Sequence, residues 1–386
     1  MLVAQTRPRN RKALIVDAAV VLFHRDGYHR VAMEDIASAV GITAGALYRH
    51  FSGKQELLCA AVLTVIDDYL AVAGAAAPGG LDAVLRALAQ RAVERRDRGP
   101  LWHRHARDLA PDQRARVRRR LRLLAARLDG ALRAARPELG APDADLLTWA
   151  ALAVLGSPTE HSAVLARSRF EEILVRVAAA VCGTPRLPAS GRTAVPAPRR
   201  PAATGPVPAT RREALLVTAG RLFRDSGFDA VTMEAIGAAA GISGPAVYNH
   251  FASKGELLLA VLARGRETLR LGLSQALAGA GSPADALEPV VRSYVRPALR
   301  PDGLPGLLFA EVHRLSEQQR YAARRAQRDY LDEWARLLPV GQVEGRVVVH
   351  AAVGLVNSLV LIPHLRARPA LEDEIVGLAL DALRAA

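Results

Sequence analysis

Gly41-Ile42-Thr43-Ala44-Gly45-Ala46-Leu47-Tyr48-Arg49-His50-Phe51 is answered 200 residues later by Gly241-Ile242-Ser243-Gly244-Pro245-Ala246-Val247-Tyr248-Asn249-His250-Phe251. In each string a glycine stops one helix and a hydroxyl residue, Thr43 or Ser243, caps the next. Ala44, Gly45 and Ala46 leave the start of that short helix bare, and proline is tolerated at 245 because the first turn needs no N–H there. Upstream, Leu14/Ala18/Leu22 and Ile15/Ala19/Phe23 repeat at i, i+4, i+8 and form the apolar stripe of a first helix. Gly27 suits the position after that helix, where φ is positive. A second helix is expected over about Met33 to Val40. Downstream, Ser52-Gly53-Lys54-Gln55 reads as a capping box opening a long fourth helix, shifted in the second copy to Ser253 and Glu256. Two short helices joined by a glycine turn, behind a bracing first helix, describe a helix-turn-helix.

The repeat extends well beyond these strings. Residues 11–62 align with 211–262 without a gap, with 21 identities in 52 positions. Weaker echoes set Asp108–Arg119 against Arg314–Arg325 at an offset of 206, and Ala150–Ser157 against Ala351–Ser358 at 201. The chain therefore reads as one module written twice. Between the copies, 183–210 holds seven of the 23 prolines, four arginines and no acidic residue, the composition of an extended linker. Its reach is at most about 90 Å.

Composition agrees with an all-α chain. Hydrophobic residues make up 51% of the 386 and aromatics only 4%, so cores must be built from Ala, Leu and Val. The net charge of +14 favours a polyanionic partner. It is uneven: 1–182 holds 27 basic and 19 acidic residues, and 211–386 holds 21 and 19. Cys59 and Cys182 support neither a disulfide framework nor a CxxC metal site. The N-terminal residues show no secretion signal, and the apolar run Val347–Ile362 is too short and polar for a membrane span, so a cytoplasmic, nucleoid-associated bacterial protein is expected.

The two strings, each followed by Lys54 or Lys254 and by Glu-Leu-Leu at 56–58 or 256–258, resemble the DNA-binding domain of the TetR family. The preceding Phe23…Gly27-Tyr28…Met33-Glu34…Ile36 run and its copy from Phe223 extend the likeness. The resemblance covers about 52 residues per copy. It implies a ligand-responsive, sequence-specific transcriptional regulator, usually a repressor, with a three-helix head on a larger helical body that holds a small, largely apolar effector. It also implies two-fold dimers built on the last two helices, here 145–182 and 343–386. The expected architecture is thus all-α, with two such modules arranged as a pseudo-two-fold dimer within one chain; further self-association stays open. The expected domains are a head at 1–55, a body at 56–182, a linker at 183–210, a second head at 211–255 and a second body at 256–386.

The expected DNA-contacting residues are Thr43, Ala44, Gly45, Tyr48, Arg49, His50 and Lys54 in the first head. In the second they are Thr232, Ser243, Gly244, Pro245, Tyr248, Asn249, His250 and Lys254. Tyr48 and His50 can reach phosphates, and Lys54 in the first turn of helix four reads as a phosphate clamp. Arg49 and Asn249 differ: Arg suits guanine and Asn adenine, so the operator should be an imperfect palindrome if these positions reach bases rather than phosphates. Ala32 stands where Thr232 can cap helix two, a loss that the basic arm Arg7, Arg9, Arg11, Lys12 can offset. Trp102, His105, Trp149 and His161 in the first body, and Phe309, His313, His350 and Asn357 in the second, are candidate pocket residues, each also readable as core. The arginine run Arg114, Arg116, Arg118, Arg119, Arg120, Arg122 reads as a solvated face or as the lip of a site for an acidic ligand such as an acyl-CoA. His103 and His105, at i and i+2, point apart on a helix and make no metal site. No cofactor is expected. No motif of phosphate-loop, serine-hydrolase, zinc-protease or dinucleotide chemistry is present, so an enzyme is disfavoured. An architectural DNA-binding protein without sequence choice is the other rival.

Overall fold

A computed structural model describes residues 10–98, 101–105, 108–161, 163–185, 187, 210–300, 307 and 315–386. Arg7, Arg9, Phe309, His313 and most of the linker lie outside the described residues, and the side chain of His103 does too. Among the described residues there are helices and no strands. In chain order they are α1 (Arg11–Asp26), α2 (Met33–Ala39), α3 (Ala44–Tyr48), α4 (Lys54–Ala76), α5 (Gly80–Glu94), α6 (Leu101–His105), α7 (Pro111–Ala135), α8 (Ala141–Gly156) and α9 (Arg167–Cys182). The second copy gives α10 (Arg211–Ser226), α11 (Met233–Ala239), α12 (Gly244–Tyr248), α13 (Lys254–Ala278), α14 (Pro283–Leu299), α15 (Glu317–Ala335), α16 (Gln342–Leu359) and α17 (Leu371–Arg384).

The chain divides into two compact units, Met1–Thr148 and Trp149–Ala386. In the first, α4 is the central helix and packs against α1, α5 and α7. The helical run Lys54–Glu94 contains a window apolar enough to cross a membrane, but half of that window is buried inside the protein, as in a core helix. The buried set is dominated by Leu, Val and Ala, as an aromatic-poor sequence requires, with Phe23 and Phe51 closing the head. On α7, Arg116, Arg118, Arg119 and Arg122 of the arginine run are exposed, and Arg120 pairs with Asp67.

In the second unit α13 packs on α14, α14 on α17, and α15 on α16. This unit also holds the end of the first copy: α9 packs against both α16 and α17. Arg169 on α9 grips Glu344 on α16 bidentately at 2.7 and 2.8 Å, and Thr184 donates to Asp381 on α17 at 2.8 Å. The apolar run beginning at Val347 lies in α16, where Val347, Val348, Val349, Ala351, Ala352, Leu355 and Val356 are buried. A Cβ placed on Gly354 would lie 3.9 Å from the carbonyl oxygen of Ala153. These two positions are equivalents at the 201-residue offset. Contact between equivalent positions is the mark of an isologous, two-fold-like interface.

Candidate nucleic-acid interface

The two heads are built alike. Gly27 and Gly227 end the first helices at φ 86° and 81°, and Gly41 and Gly241 make the turn at φ 65° and 68°. Only glycine adopts such angles without cost, so the repeat preserves it at all four positions. In both turns the residue after the glycine donates back across the corner, Ile42 N to Ala37 O and Ile242 N to Gly237 O, each at 2.9 Å. Leu47, Phe51, Val247 and Phe251 are buried beneath the short helices α3 and α12. The outer face carries the expected contact residues: Thr43, Gly45 and Arg49 are exposed, as are Ser243, Pro245 and Asn249. Tyr48 and Tyr248 are half exposed, 50% and 49%, which leaves both phenols open to a ligand although aromatic burial is normally favourable. His50 and His250 sit at the rim, partly exposed.

The caps differ in detail. Thr43 Oγ1 accepts from Ala46 N at 3.2 Å and keeps its own O–H for another acceptor. Ser243 makes no such bond. Thr232 accepts from Ala235 N at 3.1 Å. In head one, Ala32 has no hydroxyl, but Asp35, where head two has Ala235, accepts from Ala32 N at 2.7 Å. Each head therefore holds the start of its second helix by one half of a capping box, from opposite sides. Asp35 thus makes up for the missing cap at Ala32; Arg7 and Arg9 of the basic arm lie outside the described residues.

The expected box at Ser52 and Gln55 is shifted. Gly53 is the N-cap of α4, and Glu56 accepts from Ser52 N and Oγ, each at 2.6 Å. Gln55 instead donates to Asp108 O at 2.8 Å. In head two Ser253 caps α13, accepting from Glu256 N at 3.1 Å, while Glu256 accepts from Ala252 N at 2.7 Å.

The two lysines turn inward. Lys254 Nζ donates to Phe228 O at 2.9 Å and Val231 O at 2.8 Å, and lies 4.4 Å from the centre of the Phe228 ring. Lys54 Nζ lies 4.5 Å from the Tyr28 ring centre and 3.4 Å from His29 O. Burial pulls the Lys54 pKa down, with Asp108 and Asp35 acting against it. Both ammonium groups pin the segment between the first and second helices to the start of the fourth, so in this geometry they position the head.

Head one is also tied to its body through a residue the sequence did not single out. Asp108 bonds His29 Nε2 at 2.7 Å with one oxygen and His105 Nδ1 at 3.0 Å with the other. Burial opposes ionisation of Asp108, but the hydrogen bonds from His105 and His29 outweigh it and hold the carboxyl well below its usual range. His105, a pocket candidate, is therefore part of this bracket. The other candidates scatter. Trp102 meets Tyr69 edge-on at 6.5 Å. Trp149 is half-buried on α8. His161 and His350 do come together, stacked at 4.4 Å, with Phe170 on the other face of His161 at 5.6 Å. Asn357 accepts from the Tyr294 hydroxyl at 3.0 Å.

Comparison with known proteins places these heads. The model of the bacterial regulatory proteins of the tetR family matches residues 15–61 and again 215–261. The transcriptional activator FasR of Mycolicibacterium smegmatis is 48% identical over 67 residues, 17% of this chain and 31% of FasR, so the match spans about a third of that protein. The regulator BetI of Rhizobium meliloti is 28% identical over 181 residues, 45% of this chain and 88% of BetI. A TetR-family regulator from Bordetella parapertussis 12822 covers 44% of this chain and 95% of its own, at 22% identity and a TM-score of 0.40. The DNA-binding domain of the tetR family of bacterial regulatory proteins is thus present twice, and this chain carries both copies as a tandem in one polypeptide.

Proposed function

We propose that this chain is a sequence-specific repressor whose two heads read the two halves of one imperfectly palindromic operator, and that a small, largely apolar effector releases it. The observation that carries the reading is the meeting of Ala153 with its own equivalent Gly354, where α9 also packs on α16 and α17. The surface that ordinary members of the family use between two chains is thereby occupied from within one. A two-fold regulator needs recognition elements about 34–36 Å apart or at a multiple of that. Effector binding shifts the population away from that spacing, which requires different affinities for the two states.

Thr43, Ala44, Gly45, Tyr48, Arg49 and His50 supply the surface of head one. Ser243, Gly244, Pro245, Tyr248, Asn249 and His250 supply that of head two, with Thr232, Lys54 and Lys254 holding the scaffold that aims them. Genome-wide footprinting of the purified chain, with random competitor DNA at fixed salt, tests the reading. The expected result is discrete protected sites with two unequal half-sites, and lower transcription from the promoters they cover. Uniform displacement by random DNA contradicts sequence choice; higher transcription contradicts repression.

A further inference from the structure

Helices α7 and α15 begin at equivalent residues. Ala110 N donates to Gln113 Oε1 at 3.2 Å and Ser316 N to Gln319 Oε1 at 3.1 Å, so the same half of a capping box opens both and anchors the 206-residue offset. Four of the eight arginines on α7 recur at this offset: Arg114, Arg118, Arg119 and Arg122 return as Arg320, Arg324, Arg325 and Arg328. The other four do not: Arg116, Arg120, Arg127 and Arg133 stand opposite Ala322, Ala326, Glu333 and Pro339. A helix turns about 100° per residue, so the recurring four share one flank about 140° wide, and Arg116 and Arg120 lie beyond it.

Pairing inside the protein does not account for the recurrence. Where α7 does use an arginine internally, at Arg120 with Asp67 and at Arg133 with Asp129, the second copy has dropped it. Arg118, Arg119 and Arg122 are exposed, as are Arg324, Arg325 and Arg328. Among the described residues, the recurring arginines other than Arg324 make no side-chain hydrogen bond or ion pair. Such side chains add little to folding, yet they are the ones both copies keep.

Both stripes start beside a head. In the first unit Asp108, three residues before α7, bonds His29 at 2.7 Å and accepts from Gln55 through its carbonyl at 2.8 Å. In the second, Leu315 and Ala323 at the start of α15 belong to one buried cluster with Phe223, Val247 and Phe251 of head two. From there each stripe runs about 12 Å along its helix. A small anion held in one body would call for one stripe. A polyanion that meets both heads calls for two.

We propose that these two arginine stripes hold the phosphate backbone of the DNA that flanks the operator, each beside its own head. The contacts are electrostatic and indifferent to sequence, and the guanidinium group suits phosphate oxygens. This inference rests on the reading of the chain as an operator-binding regulator.

The test uses the full chain and two duplexes. One is the minimal footprinted operator; the other extends it by about two helical turns, about 21 base pairs, of random sequence on each side. Affinity is measured over a salt series for the native chain and for a variant carrying Arg118→Gln, Arg119→Gln, Arg122→Gln, Arg324→Gln, Arg325→Gln and Arg328→Gln. A third chain carries Arg118→Lys and the five matching changes. The native chain should bind the extended duplex about tenfold or more tightly at low salt, with a slope of log K against log salt steeper by up to about 5, about 0.9 for each phosphate held. The glutamine variant should lose that gain, keep its Tm, and bind the minimal operator within about threefold of the native chain at physiological salt, where distant charges are screened. The lysine variant should keep most of the gain, because an ammonium still neutralises a phosphate. Equal affinity of the native chain for the two duplexes overturns the proposal. So does a glutamine variant that keeps the gain, or one that loses as much on the minimal operator as on the extended duplex. Specific binding of the minimal operator without any gain from the flanks removes only this proposal. A native chain that prefers no sequence removes the regulator reading, and the salt slope on random duplex, native against glutamine variant, then decides the stripes by themselves.

Discussion

At the residue scale, the heads show how one charged side chain can serve as scaffold. Lys254 closes two carbonyls below 3 Å, whereas the carbonyl contact of Lys54 is a single long one at 3.4 Å. Lys254→Met should therefore cost on the order of 2 kcal/mol of stability and Lys54→Met less than half of that, read by chemical denaturation. Equal losses contradict the assignment. Gly237 is a second asymmetry. A Cβ there would lie 2.7 Å from Ile242 O and 2.9 Å from Val247 Cγ2, yet head one has Ala37 at the equivalent place. Gly237→Ala should keep the fold, because head one builds the same turn around a methyl group, and cost about 1–3 kcal/mol through overpacking. A neutral change on denaturation would show that the turn opens freely. Arg49→Asn should lower affinity by about 1–3 kcal/mol for one half-site only, measured on separated half-sites; equal loss on any sequence assigns Arg49 to phosphate. At this scale the turn glycines and the Thr43 cap were legible, because local φ and local hydrogen bonds follow from neighbours in sequence. The Lys54 direction and the Asp35 bond were not. Charge identifies a donor or acceptor, but its partner depends on which backbone groups the fold leaves open nearby.

At the element scale, the joint between the copies rests on α9, α16 and α17. The apolar runs pointed to these helices, since a helix with little polar surface must be covered. Their register did not follow from the runs, because Ala and Val repeat too uniformly to choose one. The stacked His161 and His350 rings are a consequence of that register. Burial depresses His350 to a pKa of about 4, with Glu160 and Asp332 acting against the shift and Arg346 adding to it. An unfolded histidine titrates near 6.5, so between about 6.5 and 4 the unfolded chain binds the extra proton. The stability that the neutral ring provides is full above that window and is lost as pH falls through it. Between pH 7 and 5 the loss should be on the order of 1–2 kcal/mol, and His350→Gln should flatten the dependence of Tm on pH. A variant as acid-sensitive as the native chain contradicts this role. The Ser52–Gln55 box shows a different limit. The expected box at the start of α4 does not form: Gly53 is the N-cap, Ser52 donates through N and Oγ to Glu56, and Gln55 donates to Asp108 O.

At the scale of the molecule, duplication is what the sequence displays most plainly, and the two copies have diverged by function of position. Turn glycines, buried aromatics and inward lysines recur, while 45/245 and 49/249 on the exposed faces do not. Fold is held by the first set, and recognition is free to differ in the second. The pocket candidates that lie among the described residues found five separate settings, because a pocket is a meeting of helices and not a property of any one of them. The joint at Ala153 and Gly354 makes the whole-molecule expectation specific: one polypeptide supplies both halves of a two-fold regulator. Weighing the complex of the chain with its minimal footprinted operator by light scattering tests this most directly. The account predicts one chain per operator at concentrations that saturate binding; an obligatory pair of chains on that operator would contradict it.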